Sequence, residues 1–373
     1  MKFTTGFRSK LQPAAQKKLL ALDGGGIRGV ITLEVLDSIE RIVRAKVGRP
    51  DAVLSDYFDY MAGTSTGAII ASCLALGKTV EEVRSFYVES GPDMFTRAGI
   101  LRRFHYKFEQ EKLTARLHRV LGEHTTLGSE NRQTLLMLVM RNATTDSPWP
   151  VSNNPAAAFN QRTQENCNLQ LPLWQLVRAS TAAPTYFPPE TVKIGSDEFL
   201  FEDGAVTMYN NPAFQLFVMA TAEAYNLSWP VGEEKLLLVS VGTGLCPHAD
   251  AQLRAGEMNL LYNAGSIPAA LMYAAQVQQD SLCRMFADVR AGCELDREIG
   301  DVRDKGIPAT NKMFTYMRYN AELTEQGLAD LGIGDIRPKD VQPLDSTDHI
   351  ADMQRVGRAV AERIVATSHF EGF

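Results

Sequence analysis

The sequence predicts an α/β fold in which a mainly parallel sheet is covered by helices. The first observation is a strand, turn and helix unit near the start. Residues 18–22 resemble a short buried strand, residues 24–29 are rich in glycine, and residues 30–45 carry apolar side chains at helical spacing. The second observation is a repeat of that order, with a strand at 57–62 and a tight turn at 63–67 before an apolar helix. Two such units in succession are typical of a parallel sheet with helical crossovers.

The rest of the chain continues with helices and strands, and no repeat, low-complexity tract or linker divides it. We therefore expect one large domain, with a basic N-terminal segment at residues 1–17, a core at 18–250 and a mainly helical C-terminal part at 251–373 packed on the same domain. The clearest later strand is 235–241, which is continuous and rich in Leu and Val. The other predicted elements are helices at 68–76, 173–180 and 347–366, mainly helical regions at 80–122 and 251–289, and strands at 135–140, 199–201 and 313–319.

Composition argues against several classes of protein. The 373 residues carry a formal net charge of −6, whereas a nucleic-acid binder usually has a basic face, so no DNA or RNA partner is expected. The five cysteines form no Cys-x-x-Cys pair, which predicts neither a disulfide framework nor a zinc site. The first 16 residues lack the apolar core of a secretory signal, and the longest apolar runs fall short of the roughly 20 residues that span a bilayer. We expect a cytoplasmic protein that meets a membrane from the water side.

The tight turn at residues 63–67 reads Gly-Thr-Ser-Thr-Gly and matches the Gly-x-Ser-x-Gly nucleophile elbow. In that motif a serine stands on a strained turn between a strand and a helix, and small neighbours let the backbone fold tightly and leave the hydroxyl exposed. The match would arise by chance in roughly one chain in ten of this length. Its position between a predicted strand and a predicted helix makes Ser65 the candidate nucleophile.

The first glycine cluster has two interpretations. Gly24, Gly26 and Gly29 fit the Gly-x-Gly-x-x-Gly pattern, in which backbone amides cradle a dinucleotide pyrophosphate. The same amides at a helix N-terminus also suit a developing oxyanion in acyl transfer. The acidic residue that a dinucleotide site needs about 20 residues further on is missing, because residues 41–49 continue helical and basic. The next strand instead leads to Ser65, which favours the oxyanion.

The base is the third component of the site. Of the six histidines, His248 and His349 stand in the chain order that an α/β-hydrolase triad would need, but neither lies in a convincing turn. By contrast, Asp203 ends a predicted strand and is followed by Gly204 and Ala205, as a positioned carboxylate base would require. Asp203 is therefore the candidate base.

Taken together, these motifs resemble the patatin-like phospholipases. The glycine-rich oxyanion motif of that family is similar to residues 23–29, its elbow to residues 63–67, and its Asp-Gly-Gly or Asp-Gly-Ala motif to residues 203–205. Further similarities are Ala-Ser-Thr-Ala-Ala-Pro-Thr-Tyr-Phe at 179–187, Asn-Asn-Pro at 210–212, Ser-Val-Gly-Thr-Gly at 240–244, and a tail from 317–320 onward that is similar to bacterial members.

The resemblance implies a three-layer α/β/α fold and a Ser-Asp dyad, with Ser65 as nucleophile and Asp203 as base. It implies phospholipase A-type hydrolysis of membrane phospholipids, with no cofactor and no metal. Gly24, Gly25 and Gly26 would supply the oxyanion hole, and Arg28, Gly63, Gly67 and Gly204 would support the site.

Partners and regulation are also expectations from the resemblance. Some bacterial patatin-like proteins are effectors of cyclic-oligonucleotide antiphage systems and have a similar length, so a cyclic nucleotide activator and a role in antiviral defence are expected. A membrane phospholipid substrate implies peripheral association with the inner face of the membrane, and an oligomer is compatible with the sequence. Residues 99–108, which place Arg102, Arg103 and Lys107 among aromatic side chains, are the predicted contact for anionic lipid.

Two functions from other classes stay open at this point. A dinucleotide-binding oxidoreductase would use the glycine loop for its cofactor and would tolerate Ser65→Ala. A non-catalytic lipid-binding module would carry no activated serine.

Overall fold

The computed structural model of the chain describes residues 5–13, 16–94, 110–247, 260–295, 298–303 and 311–373. In this part of the chain, nine strands form one sheet that lies between two layers of helices. The strands are β1 Lys17–Leu22, β2 Tyr60–Thr64, β3 Leu135–Asn142, β4 Ser147–Ser152, β5 Glu190–Ile194, β6 Asp197–Asp203, β7 Leu236–Val241, β8 Ala287–Ala291 and β9 Phe314–Tyr319.

The strand order is β5-β6-β3-β2-β1-β7-β9-β8, and β4 pairs with β3 outside this path. Strands β3, β2, β1, β7, β9 and β8 are parallel to one another, whereas β6 is antiparallel to both β3 and β5. The predicted α/β fold with a mainly parallel sheet is confirmed. The helices are α1 Thr5–Leu11, α2 Gly29–Val47, α3 Leu54–Tyr57, α4 Thr66–Ala75, α5 Val80–Met94, α6 Gln110–Leu121, α7 Leu173–Ser180, α8 Ala213–Thr221, α9 Leu260–Phe286, α10 Glu325–Asp330, α11 Pro338–Val341 and α12 Ile350–Ile364.

The three layers follow from the alternation of side chains along the central strands. In β1, Leu20 and Leu22 pack into a core with apolar residues of α2, α4 and α12, whereas Leu19 and Ala21 pack into a second core with residues of α1 and α8. All four side chains are fully buried. Successive residues of a strand point to opposite faces, so a strand covered on both faces is apolar throughout.

Several predicted boundaries are confirmed and others are wrong. The helix predicted at 173–180 has those bounds, and β1, β3, β7 and β9 lie where the sequence predicted strands. The strand predicted at 57–62 begins at Tyr60 instead, because Leu54–Tyr57 forms a short helix. The helical region predicted at 251–289 ends at Phe286, and β-branched Val289 belongs to edge strand β8. The C-terminal part thus contributes β8 and β9 to the same sheet.

The described part of the basic N-terminal segment is packed against the sheet. Phe7 of α1 is buried, and the Lys10 ammonium donates hydrogen bonds to the carbonyls of Ser55 (2.5 Å) and Phe58 (2.6 Å). Burial lowers the pKa of Lys10 to about 8. None of the described helices combines the length and apolar content needed to cross a membrane.

Candidate active site

Strand β3 sets the distance between the predicted nucleophile and the predicted base. On one side its Val139 pairs with Thr64, the last residue of β2, and on the other side its Met140 pairs with Asp203, the last residue of β6. Because both strands end beside the same two residues of β3, Ser65 and Asp203 come together although they are 138 positions apart in sequence.

The turn that carries Ser65 is strained in the way that the Gly-x-Ser-x-Gly motif predicts. Ser65 has φ 54° and ψ −121°, a conformation that costs energy in a residue other than glycine. A Cβ at Gly63 would collide with the Gly67 carbonyl, and one at Gly67 would collide with the Leu22 carbonyl of β1. These two glycines therefore let the backbone pass close to itself and to the neighbouring strand, with Ser65 at the apex.

A hydrogen bond joins the two predicted residues. The Ser65 Oγ donates to Asp203 Oδ2 at 2.7 Å, and Asp203 Oδ1 accepts from the amide of Ala205 at 2.8 Å. Asp203 is only 2% exposed and Ser65 8%. Gly204 is required beside them because a Cβ there would collide with the carbonyl of Val139. The arrangement is that of a hydroxyl with an adjacent proton acceptor.

Burial gives Asp203 an unusual affinity for protons. Loss of hydration raises the pKa of Asp203 from 3.8 to about 7, against the opposing effects of the Ser65 hydroxyl, the Ala205 amide and the positive charge of Arg178. A carboxylate with an ordinary pKa is a poor proton acceptor at neutral pH, whereas one with a pKa near 7 is close to the optimum for a general base.

Ser180 is a site residue whose role sequence reasoning did not predict. It is the last residue of α7 and is fully buried. Its Oγ accepts a hydrogen bond from the amide of Ser65 (2.9 Å) and donates one to the carbonyl of Val139 (2.5 Å). Ser180 thus links the strained turn to the strand that sets the position of Asp203. The only sequence signal was its place in the stretch 179–187 that is similar to the family.

The glycine loop presents two amides, not three. The amide of Gly24 donates to the carbonyl of Asn210 at 3.1 Å, so this contact removes Gly24 from the candidate oxyanion donors. Within the described part of the chain, the amides of Gly25 and Gly26 have no acceptor, and both residues line the cavity that contains Ser65. A pair of such amides beside a nucleophile can stabilise an oxyanion.

Distant parts of the chain hold this loop in place. Asp23, which opens it, is fully buried and accepts two hydrogen bonds from the guanidinium group of Arg318, at 2.8 and 2.5 Å. Burial disfavours the charge of Arg318, but the Asp23 carboxylate outweighs this effect and raises the pKa of Arg318. Thr243 Oγ1 donates to the Gly24 carbonyl at 2.8 Å. Arg28 does not line the cavity; its Nε donates a hydrogen bond to the Gly25 carbonyl at 3.4 Å.

A cavity of about 430 Å³ lies over these groups. Its volume is in the range of small-molecule sites, which are mostly apolar with a few placed polar groups. Ser65, Asp203, Gly25 and Gly26 supply polar lining. Much of the remaining wall is apolar and includes Ile69, Met94, Leu113, Phe187, Val206 and Met272. Such a wall fits an acyl chain better than a charged substrate.

The described histidines lie outside this cavity. His349 is half-buried at the start of α12, with its Nδ1 3.0 Å from the carboxylate of Asp352. His248 and the segment 99–108 predicted to contact lipid lie outside the described residues. Asp203 is therefore the base that the described part of the chain brings to Ser65, and none of the described histidines lines the cavity beside it.

Comparisons with known proteins agree with the motifs. A family model described as patatin-like phospholipase matches residues 20–217. The chain is 30% identical over 257 residues to patatin-17 of Solanum cardiophyllum, a match that covers 64% of this chain and 63% of that protein. It is 28% identical over 257 residues to patatin-1-Kuras 2 of Solanum tuberosum, covering 64% and 65% respectively. The chain thus spans just under two thirds of the length of these curated relatives. The structure of VipD from Legionella pneumophila aligns over 94% of this chain and 66% of its own, at 13% identity and a TM-score of 0.38.

Proposed function

Because this chain belongs to the patatin-like phospholipase family, we propose that it is a serine lipid acyl hydrolase with Ser65 as nucleophile and Asp203 as base. The observation that carries the proposal is the 2.7 Å hydrogen bond from the Ser65 hydroxyl to the Asp203 carboxylate, in a cavity with an apolar wall. A hydroxyl that already donates to a carboxylate of raised pKa needs no histidine to lose its proton.

In the proposed mechanism, Asp203 accepts the proton of Ser65 while Oγ attacks the ester carbonyl of a lipid. The tetrahedral intermediate collapses, the bond to the alcohol breaks, and Asp203 returns the proton to the departing oxygen. The product of this half-reaction is an acyl-enzyme on Ser65. A water molecule then attacks the acyl carbonyl, with Asp203 again taking and returning the proton, and the fatty acid leaves.

The amides of Gly25 and Gly26 are the proposed donors to the oxyanion that forms in both half-reactions. Removal of one such donor in other hydrolases costs about 10²–10³ in kcat. The loop offers backbone groups held by the rest of the fold, so little reorganisation is needed when charge develops on the carbonyl oxygen. This preorganisation adds to the effect of a base whose pKa is already near the optimum for accepting the proton.

The proposed substrate is a membrane phospholipid, cleaved in a phospholipase A-type reaction at the inner face of a membrane. The apolar wall of the cavity supports a substrate with an acyl chain. Activation by a cyclic nucleotide in antiviral defence is a further proposal that rests on the family resemblance alone. Phospholipid hydrolysis measured with and without a panel of cyclic nucleotides tests it, and activity unchanged by all of them would contradict it.

A fluorophosphonate probe, which reacts with activated serines, gives the direct test of the site. We expect the full chain to be labelled, and we expect Ser65→Ala to abolish labelling and to reduce ester hydrolysis by about 10⁶, as loss of the nucleophile does in serine hydrolases. Asp203→Asn should also abolish hydrolysis, because it removes the proton acceptor.

His349→Ala is the control variant, since His349 lies outside the cavity, and it should retain full activity and labelling. An unlabelled wild-type chain that binds lipid would instead support a non-catalytic lipid-binding module. NAD(P) bound to the purified chain, together with an oxidoreductase activity that Ser65→Ala leaves unchanged, would support the dinucleotide-binding oxidoreductase. Full hydrolysis by Asp203→Asn would refute the dyad.

A further inference from the structure

The turn at residues 183–187 holds a threonine in a backbone conformation that usually belongs to glycine. The amide of Tyr186 donates to the carbonyl of Ala183 at 3.0 Å, with Pro184 and Thr185 between them, and Thr185 has φ +69°. Because its ring keeps φ of Pro184 at about −65°, the turn has the pattern of type II, with a positive φ at its third residue. That position favours glycine or asparagine, since the branched Cβ of threonine is crowded there.

The side chain that creates this strain is exposed and lines the cavity that contains Ser65. Within the described part of the chain, neither the amide nor the hydroxyl of Thr185 has a hydrogen-bond partner. The threonine therefore stabilises neither its own turn nor a neighbouring element by hydrogen bonding. Strained residues of this kind gather at active sites and at ligand-binding sites. The hydroxyl of Thr185 is thus available to a molecule bound in the cavity.

The position of the turn beside the base indicates which half of a lipid it meets. The carbonyl of Ala182, the residue before the turn, accepts a hydrogen bond from the amide of Asp203 at 3.0 Å. In the proposed mechanism Asp203 returns a proton to the departing alcohol oxygen, which must come within hydrogen-bond reach of the carboxylate. The alcohol half of the ester therefore lies on the Asp203 side of Ser65, where Thr185 lines the cavity.

We propose that the Thr185 hydroxyl donates a hydrogen bond to an oxygen of the alcohol half of the lipid, and that this contact selects the substrate. The proposal rests on the proposed hydrolase function and concerns its substrate class. Beyond its carbonyl the acyl half has only apolar groups, whereas the alcohol half of a glycerophospholipid carries further ester and phosphate oxygens. The hydroxyl distinguishes a phospholipid from an ester of a plain alcohol, because only the phospholipid gains the hydrogen bond.

The test compares two soluble esters of the same fatty acid: dihexanoyl phosphatidylcholine below its critical micelle concentration, and phenyl hexanoate. Thr185→Val keeps the branched shape and removes the hydroxyl. We expect it to lower kcat/KM for phosphatidylcholine about three- to tenfold, the effect of one lost hydrogen bond, and to leave the phenyl ester at the wild-type rate. Thr185→Ser keeps the hydroxyl and should retain most of the phosphatidylcholine activity.

The strained backbone provides a second readout, which separates substrate contact from a structural role. Thr185→Gly removes the crowded Cβ, so its thermal midpoint should be at or above that of the wild type, while its phosphatidylcholine activity falls as in Thr185→Val. Ser228→Gly is the matched control, because Ser228 is exposed, has φ +47° and lies outside the cavity. This control should hydrolyse both esters at the wild-type rate.

Binding to the full chain carrying Ser65→Ala tests the same contact without turnover. Adding Thr185→Val should raise the Kd for the phosphatidylcholine about three- to tenfold and leave the Kd for the phenyl ester unchanged. Equal losses on both esters, wild-type values on both, or a lowered thermal midpoint of Thr185→Gly would overturn the proposal. Failure of the wild type to hydrolyse either ester would refute the hydrolase, whereas the two Kd values would still decide whether Thr185 meets the alcohol half.

Discussion

The two glycine-rich turns of this protein follow neighbouring parallel strands, yet they present different groups to the same cavity. Turn 63–67 after β2 presents one side chain, the hydroxyl of Ser65, whereas turn 23–29 after β1 presents the backbone amides of Gly25 and Gly26. In the elbow, Gly63 and Gly67 make room for the turn itself and the adjacent strand. The local motif accounts for Gly63, whereas Gly67 also answers to the neighbouring strand β1.

The glycines of the first turn make room for residues far along the chain. A Cβ at Gly25 would collide with the side chain of Thr243, and one at Gly26, where φ is +59°, would collide with the carbonyl of Leu344. The Asp23 carboxylate that opens this turn pairs with Arg318, which is 295 positions away. The difference teaches that the elbow is shaped mainly by its own residues and the strand beside it, whereas the first turn is shaped by residues hundreds of positions away.

Among the changes that separate the two turns, the largest effect should come from adding one methyl group to the first turn. We expect Gly25→Ala to lower kcat/KM by about 10²–10³, because the new Cβ displaces the loop from Thr243 and moves a proposed oxyanion donor. Hydrolysis of a soluble ester, with circular dichroism to verify folding, measures it. Gly334→Ala is the control, since its Cβ would meet only ordinary contacts at 3.4 Å or more. A folded Gly25→Ala chain with wild-type activity would show that the first turn does not need its geometry.

A smaller effect is expected from a substitution at Ser180, which holds the backbone amide of Ser65 from outside the Gly-x-Ser-x-Gly motif. Ser180→Ala leaves the Ser65 amide buried without its acceptor, a cost of about 1–3 kcal/mol. We expect kcat to fall about 5- to 150-fold with KM nearly unchanged, because the loss affects the reacting geometry rather than the lipid-binding wall.

Two further variants separate positioning by Ser180 from general stability. Ser180→Thr keeps the hydroxyl and should restore much of kcat. Thr315→Val removes a buried hydroxyl that donates to the Glu233 carbonyl at the other end of the sheet, and it should leave kcat unchanged. Equal losses in Ser180→Ala and Thr315→Val would mean that Ser180 contributes only to stability.

The smallest effect is a shift in the pH dependence of kcat/KM, which is set by Asp203, the hydrogen-bond partner of Ser65 in the second turn. Since Asp203 must be ionised to accept a proton and burial raises its pKa to about 7, kcat/KM should rise with pH through about 7. The positive charge of Arg178 opposes that rise in pKa. We expect Arg178→Met to move this rise in kcat/KM to higher pH. Arg178→Lys keeps the positive charge and should leave the rise at the wild-type pH. If kcat/KM of a folded Arg178→Met chain rises at the same pH as that of the wild type, Arg178 does not lower the pKa of Asp203.

The raised pKa of Asp203 also makes the free energy of unfolding depend on pH. The folded state holds the Asp203 proton more tightly than the unfolded chain does, so it binds more protons between about pH 4 and 7. The stabilisation from this proton is complete below about pH 4 and is lost as the pH rises to about 7. Asp203→Asn should flatten this part of the stability profile.

By itself, the sequence determined the strand, turn and helix order at both glycine clusters, the position of Ser65 at an apex, and the place of Asp203 at a strand end. These features depend on residues within a few positions of one another, so local spacing and the steric freedom of glycine suffice to predict them. The mainly parallel sheet followed for the same reason, from two units repeated in order.

Only the tertiary structure decided which groups of the site meet. The register of β3 against β2 and β6 sets the contact between Ser65 and Asp203, and a carbonyl of Asn210 removes the Gly24 amide from the cavity. Ser180 reaches the nucleophile from 115 positions away. The raised pKa of Asp203 is likewise a property of burial. Each depends on residues brought together by packing, a relation that local spacing does not encode.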